Sequence, residues 1–178
     1  INYLTNTEHK NHKTKCEKIK NYINNDFVKK TLLKVTEKEF VNKTQKRGGS
    51  SFQSYRQSFC FSFPKNIKPN DEELKTITQN LLKDISKILN VSPNDLIKNC
   101  FCNIHFNENI HINIVISKIF KNNKEELITL DLTKKKILNR RKNSFDNNIL
   151  KVLKLDKNDY LPTSKNSKIR KNIHQIEK

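Results

Sequence analysis

Apolar and polar positions alternate most regularly over residues 101–120. Ile104 and Phe106, then Ile110, Ile112 and Ile114, are interleaved with His105, His111 and Asn113, with a short polar stretch at Asn107-Glu108-Asn109 between the two runs. A period of two marks strands, so strands are predicted at 101–106 and 110–120, with a third at 127–132. An earlier strand is predicted at 59–63, where Phe59-Cys60-Phe61-Ser62-Phe63 is stopped by Pro64. Elsewhere the period lengthens. Leu74, Ile77, Leu81, Leu82, Ile85, Ile88 and Leu89 form one helical stripe, opened by Asn70 or Asp71 and acidic in its first turn. Ser92-Pro93-Asn94-Asp95 predicts a short helical turn.

Two further segments read as helical. Over residues 3–33, Cys16, Ile19, Ile23 and Phe27 recur at helical spacing. Over 134–155 the candidate core positions are Ile137, Leu138, Phe145, Ile149, Val152 and Leu153, with Ser144 capping a second segment. Residues 44–51 read as a loop holding the chain's only glycines, Gly48 and Gly49. Short gaps between strands favour antiparallel pairing. The expected fold class is therefore α+β, a central antiparallel sheet with helices packed on it.

Side-chain parity gives this sheet its candidate chemistry. His111 and Asn113 share a face, and pairing of neighbouring strands brings His105 beside them. Two neutral imidazoles and an amide hold Mg²⁺ or Mn²⁺ loosely, leaving positions for a phosphate oxygen. The same three residues also suit polar positions on a solvated sheet face. Asp131 and Glu108 are the carboxylates nearest in sequence, as a base or an outer partner of the metal.

Charge narrows the substrate. Lys and Arg number 36 against 18 Asp and Glu, a formal net charge of +18. Such a chain repels itself unless an anion is near. With no apolar run near the roughly 18 residues a spanning helix needs, nucleic acid is favoured over membrane insertion. Candidate contacts are Tyr55, Arg56, Lys118 and the Arg140-Arg141-Lys142 cluster, with Lys65, Lys68 and Lys121 further afield and Phe52 and Phe59 as possible stacking rings. Cys16, Cys60, Cys100 and Cys102 lack the spacing of a zinc site. Cys60 and Cys102 read as buried free thiols, and the chain as cytoplasmic.

A phosphate-cutting site needs a nucleophile, and the tyrosines are Tyr3, Tyr22, Tyr55 and Tyr160. Here a resemblance enters. Asn2-Tyr3-Leu4-Thr5-Asn6, followed by an expected basic helix, resembles the tyrosine stretch Asp-Tyr-Leu-Leu-Gly of mobilisation relaxases from small colicin-type plasmids. His105, His111 and Asn113, spaced His-x-x-x-x-x-His-x-Asn, are similar to that group's His and Glu-x-Asn set, with histidine in place of the glutamate. The resemblance implies an HUH-type endonuclease (relaxase-like) fold and a Tyr3 that nicks single-stranded DNA at a plasmid origin of transfer. It also implies Mg²⁺ or Mn²⁺ at His105, His111 and Asn113, and an accessory mobilisation protein and a coupling ATPase as partners. On this reading residues 1–161 are the nuclease domain without its N-terminal first strand, and 162–178 a basic flexible tail. Two alternatives stay open: an HUH-type plasmid replication initiator, with its tyrosine downstream of the histidines, and a non-catalytic DNA-binding domain of the same fold.

Overall fold

The computed structural model describes residues 2–9, 18–23, 26–45, 54–121 and 126–156. Its frame is a four-stranded antiparallel sheet with helices packed against it. The strands are β1 (Lys18–Ile23), β2 (Arg56–Ser62), β3 (Cys100–Phe106) and β4 (His111–Ser117), in the order β1-β3-β4-β2. The helices are α1 (Asn2–Thr5), α2 (Phe27–Thr44), α3 (Asp71–Leu89), α4 (Pro93–Lys98) and α5 (Lys135–Val152). Two short strands, β5 (Ile119–Lys121) and β6 (Leu127–Thr129), pair apart from the main sheet.

Helix α3 forms where the stripe predicts it. Asn70 accepts from the Glu73 backbone N–H and Glu73 returns a bond to the Asn70 N–H, a reciprocal cap that satisfies two otherwise orphaned donors. Leu74, Ile77, Leu81, Leu82, Ile85 and Leu89 are buried. They pack with Phe145 and Ile149 of α5 against one face of the sheet, lined by Phe59 and Phe61 of β2, Cys102 and Ile104 of β3, and Ile112, Ile114 and Ile116 of β4. At the end of α3, Asn90 takes the left-handed conformation, which asparagine tolerates better than most residues.

The helix expected over 3–33 holds at its two ends, in α1 and the start of α2, and fails between them. Lys18–Ile23 is instead an edge strand, paired with β3 from Lys18↔Phe106 to Ile23↔Cys102 with an irregularity after Asn21. Cys16, Ile19, Ile23 and Phe27 fit helical spacing, but Ile19 and Asn21 also alternate with Lys20 and Tyr22. The open edge of β3 offers this segment backbone partners together with a half-buried surface for its side chains, and such tertiary context overrides a weak helical spacing. Lys20 then pairs with Asp71 at 3.0 Å, and the Tyr22 hydroxyl donates to the Asp71 carbonyl at 3.4 Å, fastening β1 to the start of α3.

Smaller departures follow the same logic. The strand expected over 110–120 breaks at Lys118, whose N–H donates to the Tyr55 carbonyl while its carbonyl accepts from Leu130. The strand expected over 127–132 closes at Thr129. Ser144 caps nothing; α5 runs through it, and its hydroxyl donates to Asp84 of α3 at 2.6 Å. Leu138 is exposed rather than core. Cys60 is exposed, because Phe59 and Phe61 take the core side of β2 and leave Cys60 on the other. Cys100 and Cys102 are buried free thiols, and burial pushes Cys100 up to about 12 and Cys102 higher still, so neither is a thiolate near neutral pH. Cys16, Gly48, Gly49, Phe52 and the tail at 162–178 lie outside the described residues. Among the described residues, no helix is long and apolar enough to cross a membrane.

Candidate metal centre

The second face of the sheet carries the candidate chemistry. The hairpin β3–β4 is a near-mirror in sequence: Asn103-Ile104-His105 runs into the turn and His111-Ile112-Asn113 runs out. The antiparallel register folds like onto like, with His105 opposite His111, Ile104 opposite Ile112 and Asn103 opposite Asn113. Directly opposed residues share a face. The isoleucines therefore enter the α3–α5 core, and the histidines and asparagines turn the other way. Flanking strands extend the two rows: Ile19, His105, His111 and Ser62 in one, Asn21, Asn103, Asn113 and Cys60 in the next.

The imidazole rings of His105 and His111 lie 5.0 Å apart, centroid to centroid, at 58°. Asn103 and His105 are fully buried, Asn113 is nearly so and His111 is half-buried. The cover is thin. Leu4 of α1 and Phe27 of α2 pack on Phe101 and Val115 of the sheet in a small apolar cluster. The Leu4 carbonyl accepts from Asn103 Nδ2 and, at 3.0 Å, from His105 Nε2. Tyr3 is the residue next to it in α1; the Tyr3 side chain lies outside the described residues.

These carbonyl contacts decide where the ring protons sit. A carbonyl only accepts, so His105 carries hydrogen on Nε2, and a neutral His105 has its lone pair on Nδ1. His111 Nδ1 donates to the Asn109 carbonyl at 3.1 Å, which leaves Nε2 as the lone-pair nitrogen. A backbone carbonyl that fixes the tautomer is the usual outer support of a metal-binding histidine. Two amide atoms, Asn103 Oδ1 and Asn113 Nδ2, are buried with no hydrogen-bond partner among the described residues. An orphaned buried acceptor is costly unless a donor or a cation meets it. Turning the Asn113 amide over places its oxygen where the nitrogen stands. The residues thus fit a loosely held divalent ion at His105, His111 and Asn113, joined by Asn103. Among the described residues, no group of three or more His, Cys, Asp or Glu side chains stands together. The amides are therefore essential to any such site.

Asn103 is the residue that sequence reasoning missed. It stands two before His105 as Asn113 stands two after His111, a symmetry legible before folding. The carboxylates do not join the site. Glu108 pairs with Lys65 on the surface, and Asp131 accepts from the backbone and hydroxyl of Thr133.

Among the tyrosines, Tyr22 belongs to the opposite face, bonded to the Asp71 carbonyl, and desolvation raises its pKa. Tyr160 lies outside the described residues. Tyr55, Arg56 and Lys118 do come together: Arg56 lies 5.9 Å over the Tyr55 ring, and Lys118 bonds to the Tyr55 backbone. They sit at the far end of β2 and β4, six residues from His111 along β4, or roughly 20 Å at strand rise.

Arg141 requires a correction. It is buried, its guanidinium lies 3.4 Å over the Phe59 ring, and it donates to the carbonyls of Ile137 and Leu132. Desolvation lowers it to about 10. Arg141 is a core residue and cannot reach a phosphate; its neighbours Arg140 and Lys142 are exposed.

Compared with known proteins, the chain matches no family model, no curated protein and no solved structure.

Proposed function

We propose that the protein is a metal-dependent DNA strand transferase of the HUH relaxase type, which nicks and religates single-stranded DNA at a plasmid origin of transfer. One observation carries the reading. The backbone of the Tyr3 segment is docked on the histidine face through the Leu4 carbonyl, which engages both His105 and Asn103. This contact supports the reading because it sets the backbone next to Tyr3 against His105 and Asn103 from about a hundred residues away in sequence.

In this mechanism His105, His111, Asn113 and Asn103 would hold Mg²⁺ or Mn²⁺, and the ion would supply Lewis-acid charge for a phosphate. The Tyr3 phenol oxygen attacks phosphorus as its proton passes to solvent or a base. The bond from phosphorus to the 3′ oxygen breaks, and that oxygen leaves as a 3′-hydroxyl after taking a proton. A 5′-phosphotyrosyl link remains. Attack by a 3′-hydroxyl reverses the step. His111, its tautomer set by Asn109, presents Nε2, and the Leu4 contact sets the spacing between α1 and the sheet. An accessory mobilisation protein and a coupling ATPase belong to the same proposal.

The test combines a Mn²⁺ titration followed by electron paramagnetic resonance with denaturing gels of the full chain and a labelled random single-stranded oligonucleotide pool. Binding lost in His111→Ala, with a covalent adduct lost in Tyr3→Phe, is the expected result. An adduct that persists in Tyr3→Phe, or no Mn²⁺ binding, overturns it. The rival is a non-catalytic DNA-binding domain of the same fold. It is favoured by the complete burial of His105 and the engagement of its Nε2 by Leu4, as in a sealed polar core. Tight DNA binding without metal or adduct would select it.

A further inference from the structure

The face of the molecule away from the histidines carries a second charged feature. Helices α3 and α5 pack side by side, and between them runs an open groove of about 680 Å³. Each helix contributes a stripe at helical spacing. Asn80, Lys83, Asp84 and Lys87 come from α3; Arg140, Asn143, Asn147 and Lys151 come from α5. Lys83, Lys87, Arg140 and Lys151 are exposed.

Four cations thus face one carboxylate. That carboxylate, Asp84, is turned into the helix junction, where it accepts from Ser144 Oγ at 2.6 Å and Asn148 Nδ2 at 3.1 Å. Its nearest cation, Lys87, stands 3.9 Å away. The groove keeps a net positive lining, with amides between the charges. Ile88 is its single large apolar side chain.

We propose that this groove binds the phosphate backbone of duplex DNA. Rows of cations and amide donors match a line of phosphate oxygens. A protein partner would call for an apolar centre with aromatic anchors, and this lining has none. Single strands are gripped through stacking on aromatic rings, and no aromatic residue lines the groove. Charge without stacking or base-reading geometry suits a duplex held regardless of sequence. The inference stands independently of the strand-transfer reading, because the sheet separates the groove from the His105–His111 face.

The test uses the full chain, a 20-base-pair duplex and a single strand of equal length, with anisotropy measured across a salt series. One variant carries Lys83→Gln, Arg140→Gln and Lys151→Gln; a control carries Lys29→Gln, Lys30→Gln and Lys43→Gln on α2. The groove variant is expected to lose roughly tenfold or more in duplex affinity, with a log–log salt slope shallower by about 2 to 3. The control keeps most of its affinity. Equal losses in both variants overturn the proposal in favour of diffuse charge. No loss in the groove variant, or loss confined to the single strand, also overturns it. Circular dichroism confirms that both variants remain folded.

Discussion

Strand β4 faces two different environments. Ile112, Ile114 and Ile116 enter a core closed by two long helices, with Leu74, Ile77, Leu81 and Ile85 fully buried above them. His111 and Asn113, on the same strand, look toward a cover of α1 and the first turns of α2, where the buried apolar cluster is Leu4, Phe27, Phe101 and Val115. The first face gains its stability from apolar area removed from water. The second buries amides and imidazoles, and its amide atoms Asn103 Oδ1 and Asn113 Nδ2 lack partners among the described residues. Buried polar groups left unpaired reduce stability. The apolar core on the helix-covered face supplies the stability that offsets this cost. Helix α2 adds little to the cover, since only Phe27, Thr31 and Val35 are buried while Leu33 and Phe40 are exposed.

The contrast can be broken most directly by truncating one residue on each face. Ile114→Ala leaves a cavity in the helix-covered core and is expected to cost about 2–5 kcal/mol in urea unfolding. Asn113→Ala, one position away, is expected to cost much less, because its Nδ2 already has no partner. Equal costs would mean that both faces are ordinary core.

A sharper comparison uses Asn103→Leu. If the polar face exists to hold a metal, Mn²⁺ affinity falls by about 10–100-fold, while thermal stability changes little, because removing the orphaned Oδ1 offsets the lost bond from Nδ2 to the Leu4 carbonyl. A stability loss with unchanged Mn²⁺ binding would make Asn103 a structural residue. Next comes Arg141, whose guanidinium covers Phe59 from the helix side. Arg141→Ala is expected to lower stability by about 1–3 kcal/mol and leave duplex affinity near that of the parent. Arg140→Ala is expected to do the reverse, as read by thermal melts and DNA titrations.

The smallest effect is a pH dependence at the edge of the helix-covered face. The Lys20 ammonium, bonded to Asp71, holds that carboxyl below its ordinary 3.8, and Asp71 in turn raises Lys20 above 10.5. For Asp71 the stabilisation is present above the unfolded value and is lost as pH falls through the lower folded value. For Lys20 it is present below 10.5 and is lost as pH rises through the folded value. Because both groups are solvent-exposed, the contribution is small and fades with salt. Lys20→Gln should flatten the acid side of the stability profile between pH 2 and 4; an unchanged acid limb would remove this ion pair from the account.

Much of the helix-covered face was legible in the sequence. The α3 stripe, its cap at Asn70 and the strand phasing of Phe59, Phe61, Ile112 and Ile114 are local signals, because periods of 3.6 and 2 report burial on one side. The same parity put His111 and Asn113 on a common face and left His105 to pairing. Other features depend on contacts distant in sequence. Lys18–Ile23 became a strand because β3 offered an open edge, and a chain segment compatible with two periods takes the one its neighbours satisfy. Arg141 left the basic cluster for the core because Phe59 and two carbonyls received it, whereas its sequence neighbours mark it as a surface cation. Asn103 joined the histidines through a hairpin register, and Leu4 reached them across about a hundred residues. Sequence alone thus determined the alternation that separates a polar face from an apolar one. Tertiary structure decided which backbone carbonyl closes that face, because hydrogen-bond partners are chosen by proximity in space.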